Sequence, residues 1–185
     1  MPEFTQDWFS HNIPGLQAVM NLLPQKRTFL EVGAFEGRST LWFYEQLEHH
    51  PESTLISIDT WGGSEEHVGI NFADVRRRYQ ENTDGLLGHT TVVGTSQDFV
   101  RYEPIREFDF IYIDGSHQAP DVLADACLLW PYLGKGGIMV FDDYLWNINN
   151  QPTHAPKMAV DAFIACYYER LEIVLGGYQM AVRKV

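Results

Sequence analysis

The chain has 185 residues, of which 45% are hydrophobic and 21% charged, and its formal net charge at pH 7 is −12. This composition is typical of a globular domain rather than a disordered chain, and no apolar run reaches the roughly 18 residues of a membrane-spanning helix. The acidic balance argues against nucleic acid and anionic membranes as partners, because both are bound by clustered lysine and arginine. The length fits one α/β domain with a substantial core.

The N-terminal region, residues 1–27, is expected to form a helical arm of the same domain. It begins Met1-Pro-Glu-Phe-Thr-Gln-Asp, which is acidic and polar. Because a secretory signal peptide is basic and apolar, we expect a cytoplasmic protein. Aromatic and aliphatic residues follow up to Pro24, which should end the helical segment. The arm is predicted to pack on the sheet edge or over a ligand cleft.

From residue 28 to 185, apolar segments alternate with segments of helical periodicity. Strands are predicted at 28–32, 55–59, 90–93, 108–114, 138–141, 171–175 and 178–183, and helices at 39–50, 73–82, 119–133 and 157–170, with a short helix after residue 94. The glycines at 134–137 are predicted to form a turn. The last two strands are separated only by Gly176-Gly177 and must form an antiparallel hairpin. This order predicts a Rossmann-like, doubly wound α/β sheet of seven strands, mostly parallel with an antiparallel C-terminal hairpin.

The sequence also gives an expectation for its two cysteines. Cys127 and Cys166 fall in predicted helices, and we expect buried, reduced thiols. The sequence contains no signal that fixes the oligomeric state, and a homo-oligomer stays open.

A glycine turn joins the first strand to the helix that begins at Ser39, in the pattern Glu31-x-Gly33-x-x-x-Gly37. Glycine lets the backbone approach a ligand closely, and a helix start offers free N–H groups. Glu31, Gly33, Phe35, Gly37 and Ser39 are therefore candidate cofactor contacts, although an ordinary tight turn fits the same residues. The spacing differs from the G-x-G-x-x-G of dinucleotide folds, which makes an NAD(P)-dependent oxidoreductase the weaker alternative.

Further polar residues follow the second and third strands, where an open α/β sheet binds its ligands. Asp59 ends the second strand, about 20 residues after the glycine turn, where the ribose-binding carboxylate of a nucleotide fold is expected. Thr60 or Trp61 could flank an adenine ring, and Ser96 and Gln97 could hydrogen-bond its edge.

A second group of polar residues follows the fourth and fifth strands. Asp114, Asp142 and Asp143 would repel one another at neighbouring strand ends unless a cation or a shared proton relieves them. Ligands that are all carboxylates suit Mg²⁺ or another hard divalent cation. His117 stands at the same edge and could act as a general base near neutral pH, or could open the following helix as part of its cap.

These motifs resemble those of class I S-adenosylmethionine (SAM) methyltransferases, in particular the metal-dependent small-molecule O-methyltransferases of the catechol type and of the sugar and macrolide type. Leu30-Glu-Val-Gly-Ala-Phe-Glu-Gly-Arg-Ser39 resembles their glycine motif, in which the serine holds the methionine carboxylate. Gly94-Thr-Ser-Gln-Asp98 resembles their adenine-side loop. Asp114 with Asp142-Asp143 resembles their metal set, in which asparagine replaces the last aspartate, and His117 falls where the catechol enzymes keep a lysine base.

The resemblance, which covers residues 28–143 well, implies an enzyme that transfers a methyl group from SAM to a hydroxyl of a phenolic or sugar-like small molecule. It implies SAM binding at the glycine turn and at Asp59, Ser96, Gln97 and Asp114. It implies catalysis by His117 with a divalent cation on the three aspartates. Two alternatives stay open: a metal-independent SAM methyltransferase, and a SAM-binding or scaffold protein without turnover.

Overall fold

The strands predicted from residue 28 onward pair into one sheet in the computed structural model, which describes residues 1–64, 67–147 and 151–185. The strands are β1 (Thr28–Val32), β2 (Thr54–Asp59), β3 (His89–Val93), β4 (Phe108–Ile113), β5 (Leu133–Phe141), β6 (Leu171–Gly176) and β7 (Met180–Lys184). Their order across the sheet is β3-β2-β1-β4-β5-β7-β6. β1 to β5 are parallel, and β7 lies antiparallel between β5 and β6. This confirms the predicted fold class.

Helices pack on both faces of the sheet. In the described part of the chain they are α1 (Ile13–Met20), α2 (Arg38–Gln46), α3 (Phe72–Thr83), α4 (Ser96–Tyr102), α5 (Ala119–Leu129) and α6 (Pro156–Tyr167). Alternate residues of β4 point to opposite faces: Ile111 and Ile113 pack with α5 and α6, whereas Phe110 and Tyr112 pack with α1 and α2. Every residue of β4 is buried, as expected for a central strand covered on both faces.

The strand order reverses between β1 and β4, and this reversal places the ligand site. β1 pairs with β2 on one side and with β4 on the other, so the connections from these strands lead in opposite directions. In open α/β sheets such a point leaves a crevice at the carboxyl ends of the strands. The glycine turn after β1 and Asp114 after β4 both lie there.

The glycines predicted to form a turn at 134–137 instead lie inside β5, which begins at Leu133. The pairing of β4 with β5 shifts register between Phe108 and Phe110. A Cβ on Gly137 would stand 2.9 Å from the carbonyl oxygen of Gly134 and 3.0 Å from that of Asp109, so this irregularity requires a residue without a side chain.

Several predicted boundaries also change. The helix predicted over 39–50 ends at Gln46, because Leu47 is already extended. The helix predicted over 119–133 ends at Leu129 and is followed by a 3-10 turn. The loop predicted between Tyr144 and Pro156 contains a 3-10 turn at Pro152–His154, and its residues 148–150 lie outside the described residues.

The prediction of buried thiols is wrong: Cys127 and Cys166 are both exposed. Ala126 and Phe163 occupy the core-facing positions of α5 and α6, and the cysteines fall on the outward side of the same helices. In the N-terminal arm, helical structure extends only over Ser10–Met20, and the residues before it form no helix or strand. No helix among the described residues is long and apolar enough to cross a membrane.

Candidate functional site

Two adjoining cavities open at the carboxyl ends of the strands. The central cavity, about 470 Å³, lies between the glycine turn, the ends of β4 and β5, and the N-terminal arm, and its polar lining includes Ser39, Asp59, Asp114, His117, Asp142 and Asp143. The side cavity, about 360 Å³, lies between the end of β2, the start of α4 and one face of α5, and its polar lining includes Asp59, Thr60, Ser96, Gln97 and Asp125. Gly33, Asp59 and Gly115 line both cavities, so one elongated ligand could occupy the two together.

The glycine turn has the backbone that its sequence predicts. Gly33 has φ +88° and Gly37 φ +85°, in the left-handed region that side chains disfavour. A Cβ on Gly33 would lie 2.0 Å from the carbonyl oxygen of Asp114, so the turn also needs glycine for its approach to the end of β4. Phe35 adopts a left-handed φ of +47° as well, and its ring lines the central cavity.

The structure does not bring the side chain of Glu31 to either cavity. Its carboxyl is fully buried beneath the turn and accepts hydrogen bonds from the hydroxyls of Ser39, Thr40 (2.6 Å) and Ser57 (2.7 Å). Burial raises the pKa of Glu31 to about 7, against the effect of the three hydroxyl donors. Glu31 therefore fixes the start of α2, and Ser39 is the member of this group that reaches the central cavity.

Asp59 stands at the junction of the two cavities, where the ribose contact was predicted. Its Oδ2 accepts from the backbone N–H groups of Ala34 (2.8 Å) and Phe35 (3.0 Å), and its Oδ1 accepts from that of Trp61 (2.7 Å). These bonds tie the end of β2 to the glycine turn and fix the orientation of the carboxylate at the cavity wall.

Trp61, predicted to flank an adenine ring, lies in neither cavity wall. Only 7% of its surface is exposed, its ring packs on Tyr79 with centroids 4.8 Å apart, and its indole N–H donates to the carbonyl oxygen of Phe35. The neighbouring Thr60 lines both cavities instead.

The side cavity contains a carboxylate that the sequence analysis missed. Ser96, which is 1% exposed, donates its hydroxyl hydrogen bond to Oδ1 of Asp125 from α5. Burial raises the pKa of Asp125 to about 6. The available signal was the spacing of Asp121 and Asp125, one turn apart in an otherwise apolar helix. Gln97 is exposed at the cavity rim.

At the end of β4 and β5, the structure groups Asp114, Asp143 and His117. One potential ligand atom from each lies within 4.8 Å of the others. His117 Nε2 is 2.8 Å from Asp143 Oδ2, and the ring of Trp146 packs against the imidazole with centroids 4.0 Å apart. This is the group among the described residues that could hold a cation.

The fold shifts the pKa values of the two carboxylates in this cluster in opposite directions. Burial, followed by the charges of Asp142 and Asp143, holds the pKa of Asp114 well above its ordinary value. Burial also acts to raise the pKa of Asp143, but hydrogen bonds with His117 and Tyr178 outweigh it and lower that pKa. A positive charge between Asp114 and Asp143 would relieve this repulsion, which fits the donor chemistry of a divalent cation.

Asp142 reaches the central cavity, but both of its carboxylate oxygens already accept hydrogen bonds from other side chains. They accept from Asn12 Nδ2 (2.8 and 3.0 Å), from Gln179 Nε2 (2.9 Å) and from the hydroxyl of Tyr112. Asp142 is 6% exposed, and burial raises its pKa. It therefore joins the N-terminal arm, β4 and the residue before β7, and the structure sets it apart from the group of Asp114, His117 and Asp143.

The N-terminal arm covers the central cavity, one of the two positions predicted for it. The buried carboxylate of Glu36 accepts from the backbone N–H (2.6 Å) and the hydroxyl (2.7 Å) of Thr5 and pairs with Arg78 at 3.0 Å. Trp8 then packs on Phe35 with ring centroids 5.0 Å apart. Together with the bond from Asn12 to Asp142, these contacts hold the arm at both ends.

Comparison with known proteins places this architecture among methyltransferases. A family model described as a methyltransferase domain matches residues 30–144. An uncharacterized protein of Acanthamoeba polyphaga mimivirus is 32% identical over 130 residues, and the match covers 63% of this chain and 51% of the viral protein. The chain thus spans about half the length of this curated relative.

Solved structures with the same fold cover nearly the whole chain. An O-methyltransferase from Bacillus cereus, in complex with S-adenosylhomocysteine (SAH), superposes with a TM-score of 0.69 at 20% identity over 98% of this chain and 84% of its own. TomG from Streptomyces achromogenes, an O-methyltransferase of tomaymycin synthesis in complex with SAM, gives 0.67 at 18% identity over 96% and 81%.

Proposed function

The chain belongs to the methyltransferase-domain family, and we propose that it transfers the methyl group of SAM to a hydroxyl of a small molecule. The observation that carries this proposal is the pair of adjoining cavities at the carboxyl ends of the strands, with the carboxylates of Asp114 and Asp143 beside the glycine turn. Structural relatives that hold SAM or SAH support the choice of donor.

The donor would extend through both cavities. Its methionine end would lie against the turn of Gly33 and Gly37 and the hydroxyl of Ser39, where α2 begins with free N–H groups. Its ribose would face Asp59, and its adenine would enter the side cavity beside Ser96 and Gln97. The anionic rim suits a donor that carries a positive sulfonium.

A divalent cation would be held by Asp114 and Asp143, and it would lower the pKa of the acceptor hydroxyl when bound. We assign Asp142 the role of a positioning residue, because its oxygens already accept from Asn12, Gln179 and Tyr112. His117 would take the hydroxyl proton through Nδ1, while its Nε2 donates to Asp143, which orients the ring and stabilises the imidazolium. The acceptor oxygen then bonds to the methyl carbon as the carbon–sulfur bond breaks, which leaves SAH.

Aromatic and hydroxyl-bearing side chains next to this cluster define the acceptor side of the central cavity. Trp8 and Phe9 of the arm, Trp146 after β5, and Tyr178 before β7 line it. Their rings suit the face of a phenol or of a sugar, and Tyr178 supplies a hydroxyl. The acceptor class is therefore a small hydroxyl compound with a flat or apolar face.

The hydrogen bond between His117 and Asp143 favours a second candidate, a methyltransferase that needs no metal. A histidine oriented by a carboxylate can act as a general base without a cation. The two candidates differ in their response to chelation.

The test is SAH release from SAM with a panel of phenols and sugars, in Mg²⁺ and in EDTA. We expect acceptor-dependent release that falls by about tenfold or more in EDTA. Unchanged release in EDTA would favour the metal-independent candidate, and no release with any acceptor would favour a SAM-binding protein without turnover.

Binding of Mn²⁺, followed by electron paramagnetic resonance in the presence of SAH, assigns the roles of the cluster residues. Asp114→Asn should weaken Mn²⁺ binding by about tenfold or more, whereas Asp161→Asn, a matched change at an exposed ion pair on α6, should not. His117→Gln should keep Mn²⁺ affinity and lose turnover. Loss of Mn²⁺ affinity in His117→Gln would make the histidine a ligand rather than the base.

A further inference from the structure

The side cavity has one wall that neither the glycine turn nor the loop after β3 supplies. This wall is the face of α5 that carries Ala124 and Asp125, next to Ser96 at the start of α4. Among the described residues, this wall carries two carboxylates: Asp121 at its exposed end and Asp125 one turn further along α5. Asp59 stands at the junction with the central cavity, so Asp125 is the carboxylate that α5 adds to the side cavity beside Ser96.

The geometry of Asp125 leaves one oxygen for a ligand. Oδ1 accepts the hydroxyl of Ser96, a buried residue, and this bond holds the carboxylate in place. Oδ2 lies 3.8 Å from the position of a Cβ on Gly115, so it points toward the junction of the two cavities. Among the residues that the structure describes, none donates a hydrogen bond to Oδ2. The absence of a side chain at Gly115 keeps the approach to this oxygen open.

Resting on the function proposed above, we infer that Asp125 reads the exocyclic amino group of the donor's adenine through Oδ2 and so selects adenine over other purines. A carboxylate only accepts hydrogen bonds, and the amino group at C6 of adenine only donates them. Hypoxanthine carries a carbonyl oxygen at the same position, which would place two acceptors face to face. A buried acceptor without its donor costs binding free energy, which makes such a site selective.

The environment of Asp125 supports this specificity. Burial is the main cause of the raised pKa of Asp125, and no cationic side chain among the described residues acts to lower it. A ligand amino group would provide the missing donor. Ser96, which the sequence analysis placed at the adenine edge, acts in this arrangement as a positioning residue that holds Asp125.

The experiment compares SAH with S-inosylhomocysteine, its deaminated analogue, by titration calorimetry. The wild type should bind SAH about 30-fold more tightly or better. In Asp125→Asn, whose amide can donate to the carbonyl oxygen of hypoxanthine, the preference should fall to about threefold or less. Asp161→Asn, the same change on the exposed face of α6, should keep the full preference. If Asp125→Asn only disturbed the local structure, it would lower the affinities for SAH and S-inosylhomocysteine equally and leave the ratio of the two affinities unchanged.

The outcomes separate this inference from the function on which it rests. A wild type that binds neither SAH nor SAM would overturn the proposed function. A wild type that binds SAH and S-inosylhomocysteine equally would overturn the role of Asp125 without any variant, even if Asp125→Asn failed to fold. An unchanged preference in a folded Asp125→Asn protein would do the same.

Discussion

Replacement of Glu31 by glutamine should remove a large part of the pH dependence of folding stability. The carboxyl lies fully buried in β1, and burial raises its pKa from the ordinary 4.5 to about 7. The folded state therefore holds the proton more tightly than the unfolded state does. The contribution of Glu31 to stability is greatest below pH 4.5, where both states are protonated, and it falls as the pH rises toward 7.

The magnitude follows from these two pKa values. Between pH 5 and pH 8 the ionisation of Glu31 should lower the free energy of unfolding by about 2.5 kcal/mol, and above pH 8 its effect should be constant. In Glu31→Gln this loss is absent. Between pH 5 and pH 8 the free energy of unfolding of the variant should therefore rise by about 2.5 kcal/mol relative to that of the wild type.

Urea denaturation at pH 5, 6, 7 and 8 measures this difference directly. Glu45→Gln, a matched change at an exposed position of α2, should follow the wild-type profile. Parallel stability profiles for Glu31→Gln and the wild type would refute the argument, because they would show that Glu31 titrates alike in the folded and unfolded states.

Three further substitutions test the assignment of positions to structure or to the site. Asp142→Asn should lower the free energy of unfolding in urea by about 2–4 kcal/mol, because three donors share its carboxylate, yet retain Mn²⁺ binding; a selective loss of Mn²⁺ would contradict this. Gly33→Ala should cost about 3 kcal/mol or more from its 2.0 Å clash with the Asp114 carbonyl, and an unchanged melting temperature would be inconsistent with that clash. Trp61→Ala should destabilise the fold by about 3–5 kcal/mol in thermal unfolding and leave the SAH affinity of the folded protein within about threefold of wild type. A loss of SAH binding without a loss of stability would instead place Trp61 at the ligand.

The sequence predicts the fold well because the relevant signals are local. Strands alternate with amphipathic helices, and the short connection at Gly176-Gly177 allows only a hairpin. The glycines of β5 mislead because the same residue type serves both a turn and a close approach between strands. At Gly137 the approach to Asp109 is a tertiary contact that no local pattern records.

The candidate site is predictable in its location and less so in its individual roles. Strand-end residues must gather at one edge of a parallel sheet, and Asp59, Asp114 and Asp143 all line the central cavity there. Which of two adjacent residues faces the cluster depends on the backbone: Asp143 has φ +53° and points to His117, whereas Asp142 is held by other side chains. The donor Asn12 reaches Asp142 from the distant N-terminal arm.

The direction of a side chain decides the remaining differences. Glu31 and Trp61 are neighbours of true cavity residues along the chain, but their side chains turn into the interior, toward Ser57 and Tyr79 respectively. Asp125 turns into the cavity from a helix whose sequence carries no ligand motif. The spacing of Asp121 and Asp125 marks a polar face of α5, and the hydrogen bond to Ser96 shows that Asp125 lies at the cavity.

Titration calorimetry of SAM and SAH, with NAD as the control ligand, tests the central claim most directly. The protein should bind both SAM and SAH at one site per chain and should not bind NAD, because the spacing of Gly33 and Gly37 differs from the G-x-G-x-x-G of dinucleotide folds. Absence of SAM and SAH binding, or equal binding of NAD, would contradict the proposed methyltransferase activity and every ligand contact assigned to these cavities.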